Sequence, residues 1–234
     1  MEVVLSPFQR YREEKRLLHN NKSTLVDAPS SFHILNTELE RDVNYLRTQF
    51  ETIADRINYK REVLLPKWKP KAEQYLNDGK IYQNIIFVYC IIWLFDTEQY
   101  DQAIEWSIIA TEQNQKTPNN FNSSIPAFVA DTILEWAEKT SANGHSIEPY
   151  FSQVFELIKN KWRLHEEICA KWYKFAGYYL LKNEDGTPSA TAIDDIQILE
   201  QAKELLTKAH MFHEKIGVKT MISNIESRIN ALTK

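Results

Sequence analysis

Apolar residues recur along this chain at helical spacing. From Leu39 they follow at Val43, Leu46, Phe50, Ile53 and Ile57. Those alternating steps put them on one face of a helix from about Ser31 to Leu64. Glu38, Glu40, Arg41, Asp42, Arg47, Glu51, Asp55 and Arg56 fill the other faces. Such a seam either packs on its own domain or joins subunits in a coiled coil or bundle. Upstream, Ser6-Pro7 opens a short helix to Asn20, with Ser as N-cap and Pro in the first position. It carries Arg10, Arg12, Lys15 and Arg16 beside a thin apolar edge of Phe8, Tyr11 and Leu18. Residues 20–31 read as a loop or arm.

From Ile81 the pattern becomes a succession of shorter amphipathic helices. Ile81 to Phe95 is apolar nearly all round and reads as a buried central helix, its β-branched content leaving a buried strand as the alternative. Helices are then expected over Glu98–Asn114, Ile125–Thr140, Glu148–Asn160, Trp162–Lys182, Asp194–His213 and Lys215–Leu232, with polar loops at 115–124 and 183–192. Small residues where paired helices cross suggest repeated helix pairs. The expected fold is all-α: a long N-terminal helix plus a helical-repeat-like (tetratricopeptide-like) bundle. The division this implies is a basic arm or short helix over 1–30, the long helix segment over 31–71, and a repeat-like domain over 72–234.

Composition sharpens this picture. Only 5 Gly and 8 Pro in 234 residues leave too few turn formers for an all-β fold, and 6 Trp with 11 Tyr argue for an ordered core. The two cysteines, Cys90 and Cys169, lie in apolar surroundings with no CxxC, so they read as reduced core thiols. The apolar opening Met1 to Leu5 meets arginines at once, unlike a signal peptide. The apolar run Ile85 to Phe95 is about half of the roughly 20 residues that span a bilayer. No membrane role is therefore expected, and the reduced thiols suit a cytosolic protein. Charge is uneven: residues 1–71 hold 13 Lys and Arg against 10 Asp and Glu, and residues 72–234 hold 15 against 22. This asymmetry hints at a partner for the N-terminal part.

The densest basic stretch is Lys60-Arg61-Glu62-Val63-Leu64-Leu65-Pro66-Lys67-Trp68-Lys69-Pro70-Lys71. Pro66 should end or kink the long helix near Leu65. Lysines can neutralise phosphates and Trp68 can pack on a sugar or base. The competing reading is a hinge with Trp68 in the core and solvated lysines. Chemistry beyond binding is sparse. No P-loop, dinucleotide fingerprint, HExxH or Gly-x-Ser-x-Gly occurs. Carboxylates for a Mg²⁺-dependent nuclease could come from Asp96, Glu98, Asp101 and Glu105, or from Glu184, Asp185, Asp194 and Asp195, but capping and loop solvation explain both groups. His210 and His213 stand one turn apart beside Glu214 without a strong further ligand.

Three blocks carry a resemblance: Lys60-Arg61-Glu62-Val63-Leu64-Leu65-Pro66-x-Trp68, Trp93-Leu94-Phe95-Asp96-Thr97 and Ala103-Ile104-Glu105. With Ser6-Pro7-x-Gln9-Arg10 and Gly217-Val218-Lys219, they resemble the terminase small subunits of temperate contractile-tailed phages, commonly named endonuclease subunits. The resemblance implies recognition of the cohesive-end packaging site in concatemeric double-stranded viral DNA. It also implies a homo-oligomeric ring and a large ATPase subunit as partner for cutting and packaging. On it, Arg10, Arg12, Lys15, Arg16, Lys60, Arg61, Lys67, Trp68, Lys69 and Lys71 become candidate DNA contacts, and Leu39, Val43, Leu46, Phe50, Ile53 and Ile57 a candidate oligomerisation surface. No catalytic residue can be placed and no cofactor is expected, except Mg²⁺ if the chain itself cleaves DNA. The alternative is a non-catalytic helical scaffold for protein partners.

Overall fold

A computed structural model describes residues 32–119, 121–183 and 185–234. The short basic helix expected from Ser6 to Asn20, with Arg10, Arg12, Lys15 and Arg16, lies outside them. The described residues are all-α apart from one isolated antiparallel bridge between Lys182 and Pro188. They form two compact units, one ending at Lys80 and adding Ile85–Trp93, the other built from Ile81–Asn84 and Leu94–Lys234. The first unit thus extends past the expected boundary at 71, because α3 (Leu65–Asn77) runs on beyond it and packs Tyr75 against Phe87 with ring centres 5.6 Å apart.

The first unit contains α1 (residues 32–49), α2 (Ile53–Tyr59), one π-turn (Lys60–Leu64), α3 and most of α4 (Ile85–Asp96). The single long helix expected to Leu64 is broken at residues 50–52. Thr52 causes the break: it is extended, its hydroxyl accepts from the Asp55 backbone N–H at 3.1 Å, and it caps α2. A threonine with an acid three residues on competes with continued helix for that backbone donor. Arg56 Nε then donates to the Phe50 carbonyl at 2.9 Å, satisfying an acceptor that the break frees. Pro66 does not end the helix. The π-turn comes first, with the Leu65 N–H reaching the Lys60 carbonyl, and the chain re-enters α-helix with Pro66 in the first turn, where no amide donor is missed.

The second unit pairs α5 (Tyr100–Glu112) with α6 (Ile125–Ala142), α6 with α7 (Tyr150–Asn160) and α8 (Glu166–Leu180), α8 with α9 (Ile196–Phe212), and α9 with α10 (Lys219–Leu232). Aromatic side chains join these layers. Tyr100 meets Trp136 and Tyr150 at 5.3 Å each, and Phe151 stacks on the fully buried Trp172 at 4.9 Å. The Trp172 indole donates to the Ala130 carbonyl at 3.2 Å, so its one polar group is satisfied in the core. Gly177 lets α8 approach α9: a Cβ there would sit 2.7 Å from the Leu206 side chain. Leu181, Leu199, Leu206, Val218 and Ile225 close the C-terminal core. The loops are also held. Gln115 accepts from the Asn84 N–H at 2.8 Å and donates to the Tyr82 carbonyl at 2.7 Å.

Candidate nucleic-acid interface

The basic stretch from Lys60 to Lys71 covers the π-turn and the first half of α3, and its centre is an anchor. Trp68 is fully buried, with its indole Nε1 donating to Asp42 Oδ2 at 2.8 Å. The same carboxylate oxygen receives Lys67 Nζ at 2.7 Å, and Lys67 also meets Glu38 at 2.7 Å. Burial works against the Lys67 ammonium, but hydrogen bonds to Asp42 and Glu38 and their negative charge outweigh it and raise its pKa. Lys67 and Lys71 both lie over the Trp68 ring, at 5.0 and 5.4 Å from its centre. Asp42 of α1 thus joins two groups of α3, the Trp68 indole and the Lys67 ammonium, which only folding brings to it.

This geometry sorts the expected contacts. Trp68 has no exposed face for a base or sugar, because its ring fills the core and its N–H is already used. Lys67 sits in an ion-pair triad and is half-buried. Arg61 is exposed, its guanidinium near the Asn58 side-chain oxygen at 3.4 Å. Lys60, Lys69 and Lys71 are half-buried, and Lys69 is 4.0 Å from Glu73. Exposure does not separate these lysines, since the Lys69 side chain is 31% exposed and that of Lys67 34%; Lys67 differs in meeting two carboxylates at 2.7 Å, where Lys69 meets one at 4.0 Å.

The expected assembly seam is redistributed. Leu39, Val43 and Leu46 are buried within the first unit and cannot meet another chain without unfolding it. Beyond the break at residues 50–52 the phase of the seam is lost. Phe50 turns onto Tyr59 and Tyr45, with centroids 4.9 and 6.0 Å away, Ile57 is half-buried, and Ile53 is 75% exposed. The large apolar groups that face outward in this unit are Ile34, Tyr45, Ile53 and Val63.

The acidic clusters do not converge. Asp101 accepts from the Tyr150 hydroxyl at 3.1 Å, Asp195 caps α9 through the Gln197 N–H at 2.7 Å, and Asp194 pairs with Arg228. Glu184 lies outside the described residues. His210 and His213 do not share a helix face, because α9 ends at Phe212 and His213 is extended. Among the described residues no three His, Cys, Asp or Glu side chains gather as a metal set, and no helix is long and apolar enough to cross a membrane. Burial raises the thiol pKa of Cys90, which Glu73 reinforces and Lys69 opposes; Cys169 is raised by burial too. Both are free, buried thiols of low reactivity.

Comparison with known proteins converges on one family. Residues 36–167, which contain the Asp42–Lys67–Trp68 anchor, match the family described as phage small terminase subunit. The chain is 42% identical over 213 residues to a protein of Haemophilus phage HP1 named probable terminase, endonuclease subunit, covering 91% of this chain and 75% of that protein. It is 26% identical over 171 residues to the terminase, endonuclease subunit of Escherichia phage P2, covering 73% of this chain and 64% of that protein. No solved structure matches it. With more than half of its length inside the family and a relative aligned along nearly all of it, this chain belongs to the phage small terminase subunits.

Proposed function

We propose that this chain recognises the cohesive-end packaging site of concatemeric viral DNA and presents it to a large ATPase subunit for cutting and packaging. The observation that carries the reading is the basic stretch from Lys60 to Lys71, inside the matched region and held on the Asp42–Lys67–Trp68 anchor. Such a stretch suits phosphate contact: it keeps register while the cations release counterions. The DNA contacts are Arg61, Lys69 and Lys71, with Lys60 beside them and Arg10, Arg12, Lys15 and Arg16 from the N-terminal segment. Lys67 and Trp68 hold the stretch in place. A homo-oligomeric ring would form through the outward apolar groups of the first unit, Ile34, Tyr45, Ile53 and Val63.

Recognition in this form needs no cofactor, and Mg²⁺ enters only if this chain itself cleaves DNA. The test is competition between cohesive-end duplex and an unrelated duplex at fixed salt, followed by native mass of the bound and free assemblies. Preference for the cohesive-end duplex, bound to a defined oligomer, is expected. Equal affinity for the two duplexes would remove site recognition. Retained large-subunit binding without any DNA binding would favour the scaffold reading.

A further inference from the structure

The second unit contains a groove that the DNA-binding reading does not use. It lies between α6 and α8, with a volume of about 500 Å³. Leu134, Phe175 and Ile216 make an apolar floor. The rim is split by charge. Asp131, Glu135 and Glu138 line the α6 side, and Lys171 and Lys174 the α8 side. On α6 the three carboxylates fall on one face, rising about 6 and then about 4.5 Å along the axis. The Lys174 ammonium spends one of its three donors on the Ile216 carbonyl at 2.8 Å, which fixes it on the α8 side. Lys171 faces Asp131 electrostatically. Glu135 pairs with Lys139 on the same helix, about seven-tenths exposed on both sides, a contact that costs little to exchange.

An apolar floor with one acidic wall suits a helix that has an apolar edge and a mainly basic flank. It disfavours duplex DNA, whose phosphates would meet the carboxylates. The chain has one segment of matching pattern outside the described residues. Ser6 to Asn20 carries Phe8, Tyr11 and Leu18 at helical spacing, and the run Arg10-Tyr11-Arg12-Glu13-Glu14-Lys15-Arg16 sets basic groups on either side of two acids. The arginines and Lys15 complement Glu135 and Glu138, and Glu13 and Glu14 complement Lys171. We infer that the groove between α6 and α8 receives the Ser6 to Asn20 segment of a second copy of this chain. The contact is head-to-tail, because groove and segment are different surfaces, and repetition of such a contact builds a ring or filament. It stands on the groove and the segment and does not depend on the DNA-binding reading. Duplex DNA competes with it for the same guanidinium groups.

The test uses full-length chains and disulfide capture. One chain carries Leu18→Cys and the other Lys171→Cys, an exposed rim position; the native Cys90 and Cys169 are buried. Mixing under mild oxidation is expected to give a disulfide between the two different chains. Adding Glu135→Arg and Glu138→Arg to the Lys171→Cys chain should cut the yield about tenfold by setting like charges together. Adding Arg12→Glu and Arg16→Glu to the Leu18→Cys chain should recover it, a rescue that misfolding cannot produce. No mixed disulfide, or a yield indifferent to these charge reversals, overturns the inference. So does a chain carrying both cysteines that closes on itself at high dilution while the mixture gives no product, because the occupant is then the same chain.

Discussion

The two units use their charged and aromatic residues in opposite ways. In the first, a charged group is drawn into the structure: Asp42 binds the indole of Trp68 and the ammonium of Lys67, and Lys71 lies over the same ring. In the second, aromatic stacking and close helix approach hold the core, and most ion pairs are exposed i,i+3 or i,i+4 pairs such as Lys139–Glu135 and Lys208–Glu204. Basic residues in a stretch otherwise suited to DNA therefore fall into two classes. Lys67 is tied at 2.7 Å to two carboxylates of another helix, whereas Lys69 has a 4.0 Å contact to Glu73 on its own helix and Arg61 an exposed one to Asn58. Counting positive charges along the sequence treats them alike.

The strongest way to break this contrast is to remove the anchor. Trp68→Ala deletes a fully buried indole and takes from Asp42 one of its two donors, so urea denaturation should record a loss of about 3–5 kcal/mol. A loss below about 1 kcal/mol would show the anchor to be incidental. In the second unit the comparable weak point is steric. Gly177→Ala would ordinarily strengthen a helix by about 0.5–1 kcal/mol. At this crossing the added methyl runs into Leu206, and a net loss of about 1–3 kcal/mol is expected on the same measurement.

The basic stretch itself gives a finer test. Lys67→Glu sets a third negative charge beside Glu38 and Asp42 and should cost about 1–2 kcal/mol, after allowance for the partial exposure of the triad. Lys71→Glu should stay within about 0.5 kcal/mol. Equal costs would erase the distinction between the two classes. The smallest effect is expected in the second unit. Partial burial raises the pKa of Asp131 from its ordinary value, with Lys171 opposing it. A raised folded value means the folded chain binds the proton more tightly than the unfolded chain. The contribution is therefore present at low pH and lost as pH rises through the folded value. Asp131→Asn should raise Tm by about 1 °C at pH 7, reduced by the group's exposure, and leave it unchanged near pH 3. A gain confined to low pH would reverse the sign.

Much of the fold was legible in the sequence because helical periodicity and scarce Gly and Pro all point the same way. Helix ends in the second unit fall within four residues of where the pattern puts them, as at Ile125 and Lys219. Two departures have local causes. The break at residues 50–52 comes from Thr52 and Asp55, a capping signal present in the sequence but overridden by the heptad spacing around it. The π-turn before Pro66 depends on a local shift of backbone bonds, such as Leu65 N–H to the Lys60 carbonyl, that no side-chain pattern encodes. The site was less legible where tertiary pairing decides. Trp68 among lysines suits a sugar or base contact as well as a core position until Asp42, 26 residues earlier, is placed against it. Leu39, Val43 and Leu46 look equally suited to a core or a partner until the unit's own packing is known.

The central claim is that Arg61, Lys69 and Lys71 bind DNA phosphates while Lys67 holds the fold. Its direct test is the salt dependence of cohesive-end duplex binding, measured by fluorescence anisotropy. The wild-type chain is compared with one carrying Arg61→Glu, Lys69→Glu and Lys71→Glu, each shown to be folded. The account predicts a drop in affinity of at least about tenfold at fixed salt. It also predicts a log–log salt slope shallower by about one for each phosphate that is no longer neutralised. Unchanged affinity and slope in the folded triple variant would contradict it.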